Sequence, residues 1–423
     1  MAEILVIGGG AAGMMAAVFA ARAGADVTLL EKNEKLGKKV YITGKGRCNV
    51  TNDCDRDEFL AQVPRNPRFL YSALDFFSSR DMMALLEENG CPVTVQRGKR
   101  VFPSSEKASD VTKALTGLLR KLNVRIRLNS DVRSLETEGS RITGVRLAGG
   151  AMLPADAVIL ACGGLSYPST GSTGDGYRFA ESLGHTIVPA SPVLVGLETA
   201  ETWPKELQGL SLRNVTLSLV SGKKTLYSEL GEMLFTHFGI SGPLVLEASC
   251  HLPVPAAGAK LSIDLKPGLT REQLDARLRR DFAEAGKKQL KSVLPGLLPA
   301  SFAELFPGLC GISVSLPCNQ ITAAQREKLL TALKALPLTV RAPRSLAEAI
   351  VTRGGVSVKE IEPGTMRSKI IPNLYFAGEM IDIDAHTGGF NLQIAWSTGA
   401  LAGATAGTLA GSSAAEQTVN YEL

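Results

Sequence analysis

The chain opens on an unbroken apolar run, Ile4-Leu-Val-Ile7, that stops at Gly8. Alanines and methionines follow with no helix breaker before Gly24. A second apolar run, Asp26-Val-Thr-Leu-Leu30, ends on Glu31. Short continuous apolar runs bounded by glycine fit buried parallel strands, and the stretch between them fits a helix. Strand, turn, helix, strand, acid is the unit that begins a doubly wound sheet. Further on, Phe69, Leu70, Leu74, Phe76, Phe77, Met82, Leu85 and Leu86 recur at helical spacing and predict a helix over 68–88 that Gly90 closes. Another helix is expected over 109–122, with Ser109 as its N-cap. Residues 124–160 alternate, with turns at Glu138-Gly139 and Gly149-Gly150, and read as a small β-meander. Ala157-Val-Ile-Leu-Ala-Cys-Gly-Gly164 then repeats the opening pattern.

The character changes near Pro189–Pro192. Short alternating strands at 210–220, 224–227 and 261–265 suggest a separate antiparallel unit, and 270–336 reads as helical. The opening style returns with Leu374-Tyr-Phe-Ala-Gly378-Glu-Met-Ile-Asp382-Ile-Asp384. A small-residue helix follows over 394–410, whose alanines and glycines permit close approach to the first helix.

The turn after the first strand reads Gly8-x-Gly10-x-x-Gly13. Gly8 allows the tight turn, Gly10 lets backbone approach a pyrophosphate, and Gly13 lets the helix pack closely on the strand. A helix N-terminus offers unpaired N–H groups and a positive dipole end to phosphate. Glu31, 18 residues after Gly13, is placed to accept hydrogen bonds from a ribose. A dinucleotide site follows from this context. Between 32 and 47 lie three glycines and six cations, Lys38 and Lys39 among them. The cations could neutralise a diphosphate, and Gly44 and Gly46 would let backbone pass close to a flat ligand; the alternative is a solvated basic loop. Gly163 and Gly164 suit backbone lying against a ligand. The Gly174-Asp-Gly176 stretch fits either a loop that binds ligand hydroxyls or a helix cap. His237 stands among apolar residues between glycine turns, where a structural role is the commoner one. Arg277, Arg279, Arg280, Lys287, Lys288 and Lys291 form either a solvated helical face or a phosphate-docking surface.

Composition narrows this little. The 423 residues are 45% hydrophobic and 21% charged, ordinary for a globular chain of two or three domains. No apolar run approaches the ~20 residues that span a bilayer, and no signal peptide is expected. Seven cysteines without a C-x-x-C pair, and four scattered histidines, point to free thiols, a cytoplasmic location and no metal centre. A net charge of +5 is compatible with an anionic partner but far from a nucleic-acid-binding composition.

These blocks together resemble the BaiN/RdsA (YhiN-type) family of FAD-dependent oxidoreductases, which includes bile-acid reductases, ribosomal RNA dihydrouridine synthases and aminoacetone oxidases. The matching stretches are the glycine turn with Glu31, Thr43-Gly-Lys-Gly-Arg-Cys-Asn49, Ala161-Cys-Gly-Gly164 and Gly171-Ser-Thr-Gly-Asp-Gly-Tyr177. They continue with Leu234-Phe-Thr-His-Phe-Gly-Ile-Ser-Gly-Pro243, Gly354-Gly-Val356, Ala377-Gly-Glu-Met-Ile-Asp382 and Gly388-Gly-Phe-Asn-Leu-Gln393. Arg353 stands where the family more often has alanine. The resemblance implies an α/β fold: a Rossmann-like three-layer FAD-binding domain (1–190 with 341–423), a β-barrel-like insert (191–268 with 311–340) and a helical subdomain (269–310).

It also implies FAD bound by Gly8, Gly10, Ala11, Ala12 and Gly13 at the pyrophosphate and by Glu31 at the ribose. Lys32, Lys38, Lys39, Thr43, Gly44, Gly46, Arg47, Val132, Ala161, Gly163 and Gly164 are further contacts. Gly378, Glu379 and Asp382, with Gly389, Phe390, Asn391 and Gln393, are expected at the ribityl chain and ring. Only one dinucleotide fingerprint is present, so NAD(P)H is expected as a transient donor. The expected chemistry is reduction of an activated C=C bond, in a ribosomal RNA uracil or a bile-acid-like dienone; the alternative is a small-amine (aminoacetone) oxidase. Cys48 is the first candidate proton donor, His237 and His386 the second, and Arg47 or Asn49 could polarise a carbonyl. No obligate protein partner or membrane is expected.

Overall fold

The computed structural model describes residues 1–222 and 224–419, with side chains as far as Thr408. The chain forms two compact units, Met1–Val193 with Leu346–Leu423, and Leu194–Ser345.

The first unit is built on a five-stranded sheet. Strand β1 (Glu3–Ile7) is central, flanked by β2 (Asp26–Leu30) on one side and Ala157–Leu160 on the other; Arg125–Arg127 and Leu374–Phe376 form the edges. All four pairings are parallel. Burial on both faces explains why all of these strands except the exposed edge Arg125–Arg127 read as continuous apolar runs. Helix α1 (Ala11–Arg22) packs along the C-terminal helix Phe390–Val419. The contact is backbone to backbone. A Cβ at Gly399 would lie 2.3 Å from the Ala12 carbonyl oxygen, and one at Gly403 would lie 2.1 Å from that of Ala16. Two small sheets, Thr51–Asn52/Arg100–Pro103/Val93–Gln96 and Val132–Glu138/Arg141–Leu147/Met152–Pro154, and the antiparallel pair Ile187–Val193/Val351–Val356 complete the unit.

Four local expectations are corrected. The helix over 68–88 is broken: Tyr71–Phe76 and Ser79–Glu88 are separate, because Phe77 is extended and Ser78 caps the second helix in a capping box with Asp81. Ser109 is no N-cap; its helix begins at Ala108, and its hydroxyl contacts Asp110 instead. The ends of the 124–160 stretch leave the meander and join the parallel sheet. The last helix begins at Phe390, four residues before 394.

In the second unit, six strands close into a barrel in the order Leu197–Thr199, Gly239–Ser241, Lys224–Thr236, Ser211–Ser221, Lys260–Asp264, Leu336–Pro343. The helical stretch 269–310 falls in the same compact unit as the barrel. Its helices Arg271–Ala285 and Ala300–Leu309 share one core with the barrel, where Phe302 meets Phe235 edge to face at 5.8 Å. Among the described residues no helix is long and apolar enough to cross a membrane.

One buried polar cluster in the first unit gives the fold a pH dependence. The Ser368 hydroxyl oxygen accepts from the Ile370 and Ile371 N–H groups at 3.0 and 2.8 Å, so its proton is left for His185 Nε2, 2.8 Å away. Glu360 lies 3.3 Å from His185 Nδ1. Burial lowers the His185 pKa and outweighs the opposing pull of Glu360. The fold therefore holds the neutral ring, whereas the unfolded chain takes up a proton as pH falls through about 6.5. Stability contributed by His185 is present above that pH and is lost as pH falls toward the lower folded value. Chemical denaturation should show an extra slope of up to about 1.4 kcal/mol per pH unit just below pH 6.5. The slope should be missing in His185→Gln; an unchanged slope there would rule out His185 as its source.

Candidate functional site

The glycine turn lies where β1 ends. Gly8 has φ +105°, and a Cβ there would fall 2.4 Å from the Ala161 carbonyl oxygen, at the end of the neighbouring strand. A Cβ on Gly13 would fall 1.7 Å from the Gly8 oxygen, so the first turn of α1 rests on the glycine turn itself. Gly10 precedes α1 without a side-chain cap, and a Cβ on it would meet nothing within 4 Å. The first N–H groups of α1 thus open onto free space. Beside them, the Glu31 carboxylate is 7% exposed. It accepts from the Gly9 N–H at 2.7 Å and from the backbone and side-chain N–H of Asn33 at 2.8 and 2.6 Å. A carboxylate accepts about four hydrogen bonds, which leaves one for a ligand hydroxyl.

These groups border a cavity of about 1310 Å³, mouth included. One end is walled by Glu31, Lys32, Asn33 and Ser130–Val132, and the middle by Gly8, Gly10–Ala12 and Ala161–Gly163. The far end has Val40, Thr43, Ile350, Val351, Ile383 and Asn391. Such a cavity, with an uncapped helix start at its middle and an acid at one end, suits a dinucleotide.

Of the residues singled out in the sequence, Gly8, Gly10, Ala11, Ala12, Glu31, Lys32, Lys38, Lys39, Thr43, Val132, Ala161, Gly163, Gly378, Glu379 and Asn391 line this cavity. The cations among them carry partners. Lys32 bonds Asp175 and Thr173, each at 2.6 Å, and Lys38 bonds Asn33 at 3.2 Å. Lys39 bonds Glu379 and Ser166, each at 2.5 Å. Burial pushes the Asp175 carboxyl up, but hydrogen bonds from Lys32, Arg178 and Thr173 outweigh it and hold the group at about 2.

Gly13, Gly44, Gly46, Arg47, Gly164, Asp382, Gly389, Phe390 and Gln393 are not among the lining residues. Several support the wall instead. Gly164 lets Thr352 approach, with a Cβ position 2.5 Å from its hydroxyl, and Gly389 lets the Thr51 carbonyl approach. Phe390 packs edge to face on Phe59 at 5.1 Å, and the buried Gln393 accepts from Thr51 at 2.7 Å.

Sequence reasoning missed Asn33, Ser130, Ile350 and Val351, which line the cavity without any motif of their own, and passed over Cys162 inside the Ala161–Gly164 block. Thr170, Gly171, Ser172 and Asp175 also line it. Their glycine-rich loop was legible, but its attachment was not. Asn33 Nδ2 donates to the Thr170 carbonyl at 3.1 Å, and a Cβ on Gly171 would lie 2.6 Å from Asn33 Nδ2.

The candidate catalytic residues stand back from the cavity. Cys48 is 0% exposed, does not line it, and burial pushes its thiol up to about 12. A thiol so placed is a poor acid near neutral pH and has no path to a ligand here, which removes the ground for Cys48 as proton donor. Arg47 pairs with Glu106 at 3.1 Å and covers the Phe102 ring at 4.4 Å. The Asn49 side-chain oxygen is buried without a hydrogen-bond partner. His386 Nδ1 lies 3.2 Å from the Gln62 side chain, and its ring is outside the lining set. His237 belongs to the second unit, exposed in the turn after Lys224–Thr236, with its ring against Phe238.

The profile of the HI0933-like protein Rossmann domain matches residues 2–405. The chain belongs to this family. HI0933-like relatives include the 3-dehydro-bile acid delta(4,6)-reductase of Clostridium scindens, 33% identical over 412 residues, which are 96% of this chain and 99% of that protein. The ribosomal RNA dihydrouridine synthase of Haemophilus influenzae is 32% identical over 401 residues, 94% of this chain and 96% of that protein. Among solved structures, a 3-ketosteroid-delta4-(5alpha)-dehydrogenase from Rhodococcus jostii RHA1 superposes with a TM-score of 0.54 over 96% of each chain at 17% identity. At that identity the likeness speaks for the HI0933-like fold alone.

Proposed function

We propose that this chain is an FAD-dependent oxidoreductase that uses NAD(P)H to reduce an activated C=C bond. The observation that carries the reading is the cavity, with Glu31 at one end and the uncapped start of α1 at its middle. It is supported by two relatives, one named a delta(4,6)-reductase and the other a dihydrouridine synthase, which align over nearly the whole chain. When bound, FAD would supply hydride transfer between a nicotinamide and the substrate.

The chain's own residues do the rest. Ala11 and Ala12 present N–H groups and the helix dipole to a pyrophosphate. Glu31 offers its remaining lone pair to a ribose hydroxyl, while Gly9 and Asn33 hold its carboxylate still. The ring end is then the apolar end, where Ile350, Val351 and Ile383 exclude water. The Gly378–Met380 turn and Asn391 border it, with Asn391 fixed by bonds to the Ala385 backbone at 3.0 and 2.7 Å.

Of the two substrate classes, a small conjugated dienone is taken first, because the bile-acid reductase aligns over 96% of this chain and 99% of its own length. Some of the cations that could grip phosphates are paired with carboxylates. On and beside helix Arg271–Ala285, Arg277 and Arg280 pair with Asp281, Arg279 and Arg326 pair with Asp275, and Arg271 pairs with Glu327. Arg47 pairs with Glu106 and Lys99 with Glu58. RNA binding driven by phosphate contacts would instead be steeply salt-dependent.

The test is anaerobic mixing of the reduced, FAD-loaded protein with a 3-oxo-4,6-diene steroid, followed by the return of the oxidised flavin spectrum and mass analysis. Rapid reoxidation with a product heavier by two hydrogens is expected. Reoxidation only by unmodified ribosomal RNA would move the substrate to the uracil class. Reoxidation only by oxygen, with flavin reduction by aminoacetone, would replace the reductase reading with the oxidase one.

A further inference from the structure

The run from Asp382 to Gly388, between the Gly378–Met380 turn and the C-terminal helix, has little regular secondary structure, yet every second residue is tied to a different part of the first unit. Asp382 is held by Arg65 at 2.9 Å, and its carbonyl accepts from Asn66 at 2.7 Å. Asp384 takes a two-pronged bond from Arg353, Nε to Oδ1 at 2.9 Å and Nη2 to Oδ2 at 2.6 Å. The His386 N–H donates to the Gln62 carbonyl at 3.0 Å, and the Gly388 carbonyl accepts from Asn52 at 3.1 Å. Between the first two ties, Ile383 lines the cavity.

Arg353–Asp384 is the more enclosed of the two ion pairs among these ties, with Asp384 0% exposed and Arg353 13%. A planar guanidinium on a carboxylate fixes both distance and orientation, which a lysine cannot do. Arg353 is also well placed to act as a spacer. It sits two residues beyond Val351, and Asp384 is next to Ile383; both neighbours line the cavity. The Gly355 position explains how the two segments come together: a Cβ there would lie 2.3 Å from the Met380 carbonyl oxygen.

We propose that Arg353 is a positioning residue: through Asp384 it sets the gap between the Val351 and Ile383 walls at the ring end of the cavity. The inference rests on the reading that this end receives the flavin ring.

The test compares Arg353→Lys and the double variant R353M/D384L with the wild type, all loaded with FAD. The double variant leaves no unpaired buried charge, and apolar replacement of a buried pair is often neutral for folding. Both variants should retain FAD. Their flavin absorption band and fluorescence should shift from the wild-type positions. Amide exchange across 382–388 should rise about tenfold, as loss of roughly one well-formed tie predicts. Spectra that superimpose on the wild type, whatever the melting temperature does, would overturn the positioning role and leave the pair a structural tie. Wild-type protein that takes up no FAD would overturn the cofactor reading itself, and this inference with it.

Discussion

Gly13→Ala should destabilise the first unit by about 3 kcal/mol or more and abolish FAD retention, the largest single-residue effect expected in this chain. The added Cβ would sit 1.7 Å from the Gly8 carbonyl oxygen and 3.0 Å from its carbon. Neither atom belongs to a flexible side chain, so α1 must lift from the turn or the turn must open. Either movement displaces the N–H groups that face the cavity. Gly10→Ala separates the two consequences. Its Cβ meets no protein atom within 4 Å and points where backbone and ligand would approach. That variant should fold with a nearly wild-type denaturation midpoint yet hold FAD at least about tenfold more weakly, the penalty of roughly 1.4 kcal/mol for one displaced contact. Urea titration and flavin fluorescence on dilution measure the two quantities. A Gly13→Ala protein with the wild-type midpoint would refute the close-packing argument.

Lys39→Met should be the next most damaging change, at about 3 kcal/mol. The Glu379 carboxylate is held by Lys39 and Ser166 and by the Thr352 N–H at 2.9 Å. Burial raises its pKa, but the charge and hydrogen bond of Lys39, with the other donors, outweigh burial and bring it below the usual value. Without Lys39, a largely enclosed carboxylate loses its counter-charge, and the group must either ionise at a cost or take up a proton. The figure stays at the low end for a buried pair because about a fifth of each side chain still meets solvent. The loss should shrink toward acidic pH, where Glu379 in the variant becomes neutral. Lys39→Met/Glu379→Gln should recover most of it. Denaturation of both variants between pH 5 and 8 checks this; a double variant no better than the single one would show that the charge pairing is not what matters.

Both predictions concern residues visible in the sequence, but for different reasons. The turn at Gly8–Gly13 depends on contacts within a few residues, so spacing alone revealed it. The tie between Lys39 and Glu379 spans 340 positions, and nothing in either local pattern announces it. Lys39 read as a free cation for a diphosphate because a lysine's partner is a tertiary fact. The same holds for the basic residues around Arg277–Arg280, whose ion pairs with Asp281 and Asp275 could be placed only in the structure. Cys48 failed for a related reason. Proximity in sequence to a glycine-rich loop suggested access to the ligand, whereas the loop turns its thiol inward, to 0% exposure.

By itself, the sequence determined the strand–turn–helix–strand opening, the return of the last third to the same domain, and the acid at the end of β2. Each follows from hydrophobic period and glycine placement, which act over a turn or a strand. Only the tertiary structure decided which of the singled-out residues border the cavity and which brace its wall. It also decided that the helices after 269 share the barrel's core, and that Arg353 and Arg65 grip alternate acids of one run. Those outcomes depend on which distant side chains meet once the sheet has formed, and a one-dimensional pattern carries no record of such meetings.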